Sequence, residues 1–222
     1  MNIAIIPARS GSKRIKNKNL KIFNGKHVIY WSIRAAKKTK LFDKIIVTTD
    51  SKKIAKVANK YGAITPFLRK KELSNNAVST VEVIKDAINN LKLENAKICC
   101  IYPCAPLIRY KDIIKSFKQL KTNIDFVFSA STFNADILKA FILINKKKKI
   151  KLNNKAKFYR GGKGREMFYD AGQFYWGHKK SWLTKNDIFS SKVDIIEIPR
   201  WRSQDINYII DWKNALKLSE LK

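Results

Sequence analysis

A run of small and basic residues follows the first apolar stretch of this 222-residue chain. It reads Ile6-Pro7-Ala8-Arg9-Ser10-Gly11-Ser12-Lys13-Arg14, then Lys16, Lys18 and Asn19. Small side chains at Ala8, Ser10, Gly11 and Ser12 let backbone N–H groups come close to anionic oxygens. The cations can neutralise a triphosphate and the charge that gathers on pyrophosphate as it leaves. The run lacks both the Gly-x-x-x-x-Gly-Lys-Ser/Thr spacing of a Walker loop and the Gly-x-Gly-x-x-Gly of a dinucleotide loop. From its residues alone it is either a phosphate-gripping turn or a solvated basic loop. A second segment, Met167-Phe168-Tyr169-Asp170-Ala171-Gly172-Gln173-Phe174-Tyr175-Trp176-Gly177, sets polar Asp170 and Gln173 inside an aromatic strand pattern. Buried polar groups need partners, and a polyhydroxylated ligand would supply them. The two histidines, His27 and His178, sit in no nucleophile–base pattern and read as structural, so no Ser-His or Cys-His chemistry is inferred.

Alternating strands and helices are needed to position these residues. Ile3 to Ile6 is a continuous apolar run, as in a strand buried on both faces. Helices are predicted at Val28–Lys38, Lys52–Lys60, Val81–Leu91 and Lys111–Leu120, and strands at Lys44–Thr48, Ile98–Tyr102 and Asp125–Ala130. Asp50 or Ser51 caps the second helix, and Ser79-x-x-Glu82 is a capping box for the third. Tyr61-Gly62 ends the second helix. Strands alternating with helices predict an α/β fold with a doubly wound, mostly parallel sheet. Ligands of such sheets bind beyond the carboxyl ends of the strands, where the Arg9 to Asn19 loop falls. Beyond Thr132 the pattern changes: Phe141–Asn145 and Ile150–Leu152 flank Lys146 to Lys149 and read as a β-hairpin with a charged tip. Residues 155–165 read as a basic loop. Gly172–Trp176 and Val193–Ile198 are strand-like, and a last helix begins at Asn207 or Asp211 and runs to Leu218. One domain over residues 1–222, with an excursion at 132–165, accounts for the whole chain.

Composition bounds the rest. With 45% hydrophobic and 11% aromatic residues the chain is no disordered polymer. No apolar run reaches the roughly 20 residues of a membrane span, and no signal peptide is read at the N-terminus. Cys99, Cys100 and Cys104 are too close together for a disulfide framework and lack zinc spacing, which suits half-buried thiols in a reducing, cytoplasmic setting. The net charge is +30, which raises a nucleic-acid-binding reading. Only nine of the 47 basic residues are arginine, however. The lysines are strewn along the chain without interleaved aromatics, as coding bias would leave them.

Taken together, the motifs resemble the CMP-sugar-acid synthetases, which activate N-acylneuraminate, Kdo and related acids. Ile6-Pro7-Ala8-Arg9-x-Gly11-Ser12-Lys13 with Lys18-Asn19 is similar to that family's opening. Phe67-Leu68-Arg69 with Glu72-Leu73 resembles its Arg-Pro-x-x-Leu segment, with Lys70 in place of proline. Tyr102-Pro103-Cys104-Ala105-Pro106-Leu107 stands where the family has Gln-Pro-Thr-Ser-Pro-Leu. Gln204-Asp205-Ile206-Asn207 resembles its Asp-Ile-Asp motif. Tyr102 and the Met167–Gly177 segment look like the pseudaminic acid branch; N-acylneuraminate enzymes have glutamine at the Tyr102 position.

The resemblance implies a nucleotidyltransferase with a Rossmann-like sheet that joins CTP to an acidic nine-carbon sugar and releases pyrophosphate. Pseudaminic acid leads; N-acylneuraminate, legionaminate and Kdo are the alternatives. It also implies nucleotide contacts at Ala8, Arg9, Ser10, Gly11, Ser12, Lys18, Asn19, Arg69 and Ser79, with Arg9, Lys18 and Asp205 carrying catalysis. Sugar contacts fall at Tyr102, Asp170, Gln173 and Tyr175. Mg²⁺ is implied at Asp205 and Asn207, although Asn207 is neutral where the family carries a second aspartate. Asp211 reads as a capping or surface residue. One of Arg160 to Arg165 or Arg200-Trp201-Arg202 could hold an anion bidentately. The hairpin implies a homodimer in which it reaches a second subunit. A membrane partner is not expected, and nucleic acid is the competing reading of the charge.

Overall fold

The computed structural model describes residues 1–133, 141–144, 148–151 and 166–221. The proposed loop at 155–165, with Arg160 and Arg165, lies outside them, as does the hairpin tip.

Six described strands form the main sheet. β1 (Asn2–Pro7) lies between β4 (Lys44–Thr48) and β5 (Lys97–Ile101) and is parallel to both. Beyond β5 come β9 (Phe168–His178), β6 (Phe126–Thr132) and β10 (Val193–Glu197), giving the order β10-β6-β9-β5-β1-β4. β6 and β10 are parallel. The expectation of a mostly parallel sheet holds, with one correction: β9 runs antiparallel to both neighbours. It is also far longer than the predicted Gly172–Trp176. Antiparallel insertion depends on the direction in which the chain returns from its excursion, which local periodicity does not encode. The hairpin is present as β7 (Phe141–Ile144) paired with β8 (Lys148–Lys151), so Lys148 and Lys149 belong to a strand rather than to the tip.

Helices cover both sheet faces, as the continuous apolar strands require. α1 (Val28–Thr39), α2 (Lys52–Lys60) and α4 (Tyr110–Gln119) enclose Ile6, Val47, Cys99 and Trp176 on one side. α3 (Thr80–Asn90) and α5 (Lys179–Thr184) enclose Ile5, Cys100, Phe126 and Trp182 on the other. α5 was not foreseen, because six residues carry too little periodicity. Ser51 caps α2 by accepting the Ile54 N–H, and the Ser79–Glu82 capping box opens α3. A third cluster joins α6 (Ile209–Ser219) to a short hairpin of β2 (Ile22–Phe23) and β3 (Lys26–His27). There Phe23 meets Trp212 edge-on at 5.6 Å. This cluster walls the base of the cleft described below.

β9 owes its place in the middle of the sheet partly to Gly177. A Cβ there would lie 2.7 Å from a Phe126 ring carbon and 2.8 Å from the Trp182 indole nitrogen. Both rings are fully buried and have nowhere to move. Gly177→Ala is expected to lower the unfolding free energy by about 1–3 kcal/mol, the usual cost of overpacking, as measured by urea denaturation.

Candidate functional site

At the carboxyl ends of β1 and β5 opens a cleft of about 620 Å³. The loop after β1 forms its first wall. Ala8 is buried and its N–H donates to the Thr48 carbonyl at 3.0 Å, which continues the β1–β4 ladder past the strand end. The Asn19 amide donates to the Arg9 carbonyl at 2.8 Å and accepts the Cys104 thiol at 3.2 Å. Buried Asn19 therefore closes the loop into a ring. Ser10 turns away from the cleft, its N–H and hydroxyl both on Asp50 at 2.8 and 2.5 Å. Gly11 is exposed and off the cleft lining. Arg9, Ser12 and Lys18 do line it, together with Lys13 and Arg14.

The partners of these cations are neutral. The Arg9 guanidinium donates to the Asn76 side-chain carbonyl, and Lys18 Nζ to the Ile206 carbonyl at 2.6 Å. Arg14 donates to Asn207 Oδ1 at 2.6 Å and lies over the Tyr208 ring. Among the described residues none of the three meets a carboxylate, so their charge stays available to an anion.

Arg69 and the start of α3 supply the facing wall. Arg69 is 5% exposed, anchored by its N–H on the Thr49 carbonyl and its Nε on Ser74. Burial lowers its pKa, partly offset by Asp50 and Asp86. Ser79 lines the cleft, but its hydroxyl accepts the Glu82 N–H and donates to the Glu82 carboxylate. The Glu82 carboxyl is held below its usual range by those Ser79 hydrogen bonds. Thr80, which the sequence did not single out, shares a 2.8 Å hydrogen bond with the Tyr102 hydroxyl. Burial pushes the Tyr102 phenol up to about 12 and the Cys104 thiol likewise to about 12. All three cysteines are buried and free, more enclosed than half-buried thiols.

Between Tyr175 and Asp170 the β9 ladder breaks: Phe128 pairs with Tyr175, but Ala130 already pairs with Asp170. The surplus residues bulge toward the cleft at Gly172, whose φ of 62° favours glycine. Two of the residues expected at the sugar, Gln173 and Tyr175, lie off the cleft lining. Gln173 is 1% exposed, and its amide donates to the Arg202 carbonyl at 2.6 Å. Tyr175 is 2% exposed within the α3–α5 core and donates to Asp170 Oδ2 at 2.5 Å. Both stand behind the wall. Tyr102 lines the cleft, and half-buried Asp170 lies beside Gly172, accepting its N–H. Burial raises the Asp170 carboxyl above its usual range, against the pull of the Tyr175 and Gly172 hydrogen bonds.

Asp205 and Asn207, in the loop between β10 and α6, complete the lining. Asp205 is the one carboxylate among its described lining residues. A Cβ on Gly172 would stand in ordinary contact with the Asp205 carboxyl carbon at 3.7 Å, so the bulge backbone packs directly beside that carboxylate. Asn207 donates to Asp205 at 2.6 Å while its own oxygen takes Arg14. Asp211 caps α6 by accepting the Asn207 and Tyr208 N–H groups, as expected. No group of three or more His, Cys, Asp or Glu side chains gathers among the described residues. A magnesium ion fits such a set only by sharing substrate phosphate oxygens and waters, which is its usual habit. Of the basic triplet, Arg202 is buried against Asp112, and Arg200 Nε donates to Thr132. His27 meets the Tyr61 hydroxyl and His178 the Lys121 carbonyl, both outside the cleft.

The exposed lysines are spread over many elements, and some share one helical layer. Exposed Lys37, Lys38, Lys52, Lys53, Lys56 and Lys60 lie on α1 and α2, and Lys111, Lys115 and Lys118 on α4, all in one helical layer. Among the described residues, no helix is long and apolar enough to cross a membrane.

Comparison with known proteins adds independent findings. A family model described as cytidylyltransferase matches residues 3–221. The chain is 37% identical over 219 residues to the pseudaminic acid cytidylyltransferase of Campylobacter jejuni, covering 96% of this chain and 94% of that one. It is 38% identical over 120 residues to the N-acylneuraminate cytidylyltransferase of Escherichia coli, covering 54% of this chain and 28% of that one. In fold it is similar to a solved CMP:2-keto-3-deoxy-manno-octonic acid synthetase complexed with CTP. That likeness has a TM-score of 0.75 at 13% identity and covers 99% of this chain and 98% of the other.

The raised Asp170 carboxyl fixes the sign of a pH effect. Folding favours its protonated form, so its contribution is fully present below the unfolded pKa and is lost as pH rises through the folded one. Asp170→Asn, neutral and similar in shape, is expected to melt above the wild type at pH 8. The gap should close as the pH is lowered toward 4 in a calorimetric series.

Proposed function

The chain belongs to the cytidylyltransferase family, and from that membership we propose that it joins CTP to a nonulosonic acid, pseudaminic acid first, to give the CMP-sugar and pyrophosphate. The observation that carries the reading is a cleft rich in cations, of which Arg9, Arg14 and Lys18 meet neutral partners among the described residues, with Asp205 in the same lining. The name of a relative matched over nearly its full length supports the choice of sugar.

In this reading the triphosphate lies along Arg9, Ser12 and Lys18, with Arg69 on the facing wall. Asn19 keeps the loop in shape from behind. The anomeric hydroxyl oxygen attacks the α-phosphorus, the bond to the β-phosphate oxygen breaks, and the hydroxyl proton is released. Charge moves onto pyrophosphate, where Arg9 and Lys18 stabilise it without reorganising. Positioning supplies most of the remaining acceleration, as in other phosphoryl transfers. Asp205, with Asn207 orienting it, would hold magnesium, which supplies phosphate charge neutralisation and acidifies a coordinated hydroxyl. Tyr102 and Asp170 flank the sugar, with Tyr175 fixing Asp170 and Gln173 fixing the wall. The reading includes a cytoplasmic enzyme acting as a homodimer through the β7–β8 hairpin; a single sedimenting species of monomer mass would remove that element.

A second reading, nucleic-acid binding, rests on the net charge of +30, part of which is carried by exposed lysines on α1, α2 and α4. It predicts duplex binding that weakens steeply with salt. On the leading reading the same lysines add to the field that draws in anionic substrates.

Pyrophosphate release should be measured with CTP and a panel of sugar acids. Turnover is expected with pseudaminic acid above N-acetylneuraminate, legionaminic acid and Kdo. Turnover confined to N-acetylneuraminate would overturn the choice of sugar. Asp205→Ala is expected to lower turnover by roughly 100-fold or more, the scale of lost metal-assisted charge stabilisation. Near-normal turnover would remove Asp205 from that role.

A further inference from the structure

The loop from Pro199 to Tyr208 carries Asp205 and Asn207, and its described hydrogen bonds show what fixes it. Within the loop, the Arg202 N–H donates to the Pro199 carbonyl at 2.9 Å, Ser203 N–H to Arg200 at 3.0 Å and Gln204 N–H to Arg202 at 3.0 Å. These turn-like contacts shape the segment but do not tie it to the sheet. Lys18 on the Ile206 carbonyl, Arg14 on Asn207 and Arg200 on Thr132 tie it from partly exposed or exposed positions, and two buried side chains tie it from within. Arg202, 5% exposed, points its guanidinium at Asp112 in the first turn of α4. Gln173, 1% exposed, donates from its amide to the Arg202 carbonyl at 2.6 Å.

Gln173 also links the loop to the cleft wall, because its main-chain carbonyl accepts the Tyr102 N–H at 2.9 Å. The residue before it, Gly172, is the bulge position that faces the Asp205 carboxyl. One connected path therefore runs from α4 through Arg202 and Gln173 to Tyr102 and Gly172 in the cleft lining. Losing one partner of a buried ion pair leaves an uncompensated charge, which is strongly unfavourable. Arg202 Nε and Gln173 Oε1 have no hydrogen-bond partner among the described residues, so the Asp112 and Arg202-carbonyl contacts are what hold these two side chains there.

We propose that Asp112, Arg202 and Gln173 form a buried clamp that positions the Asp205–Asn207 loop against Gly172, so that Arg202 serves placement rather than anion binding. The clamp touches neither substrate; its members are positioning residues. It rests on the proposed reaction only for its consequence in turnover. Its structural part stands alone.

The test uses the full chain with Asp112→Asn, which keeps the shape and removes the charge. Hydrogen exchange is read at the Ser203, Gln204, Asn207 and Tyr208 amides and, for comparison, along α3. Kinetics are read as kcat and KM for CTP, and CTP affinity by calorimetry without magnesium. The clamp predicts faster exchange confined to the four loop amides and a kcat lower by about 10- to 100-fold, the scale of a small misplacement. CTP affinity without magnesium should stay at the wild-type value. Asp112→Glu should recover part of the kcat. Exchange that rises equally in α3, or loop exchange that does not change, overturns the clamp. If Asp112→Asn does not fold, Arg202→Lys, which keeps the charge but loses the planar fork, is held to the same outcomes. Should the wild type release no pyrophosphate with any sugar acid, the proposed function fails while the exchange pattern still judges the clamp.

Discussion

Like charges crowded onto one cleft repel each other, and most of what surrounds this site can be understood as keeping them there. Arg9, Arg14, Lys18 and Arg69 meet amides, carbonyls and a hydroxyl rather than carboxylates. Such partners fix direction without cancelling charge. Salt bridges would stabilise the empty protein better and leave less field for an anion. The arrangement sets aside folding stability in favour of a preorganised positive pocket, the form of electrostatics that acts without rearrangement during reaction. Asn19 shows how the loop withstands the strain: one buried amide spans Arg9 and Cys104, closing the ring from inside.

The second wall depends on an irregularity in the sheet. β9 enters between β5 and β6 in the opposite direction and bulges at Gly172 just where it reaches the cleft. The bulge turns Gln173 inward to the Arg202 loop and leaves Asp170 at the edge, held by Tyr175. A regular strand would have kept alternating its side chains across the sheet and left no backbone facing Asp205. Here a local break in pairing brings the β9 backbone at Gly172 up against Asp205.

What could be read from the sequence follows from how local each signal is. Ser51, Ser79 and Glu82 were legible as caps because capping is settled within four residues, and Lys52–Lys60 was legible as a helix by its apolar period. The Arg9 to Asn19 loop was legible as a cleft loop because it follows a buried apolar strand, and ligands of such sheets bind at the strand carboxyl ends. The burial of Gln173 and Tyr175 was not legible, because the aromatic motif names residue types and not the bulge that encloses them. Asn76 and Thr80 left no signal: each meets the site through a partner far along the chain, Arg9 and Tyr102 respectively. Identity came from several ordered motifs together rather than from any single one.

Calorimetric titration of CTP into the wild-type protein, with magnesium present, tests the central claim most directly. The account predicts saturable heat at one site per chain, weakening as salt is raised and abolished when Arg9 and Lys18 are both changed to glutamate. Absence of heat, or an affinity untouched by reversing those two charges, would contradict it.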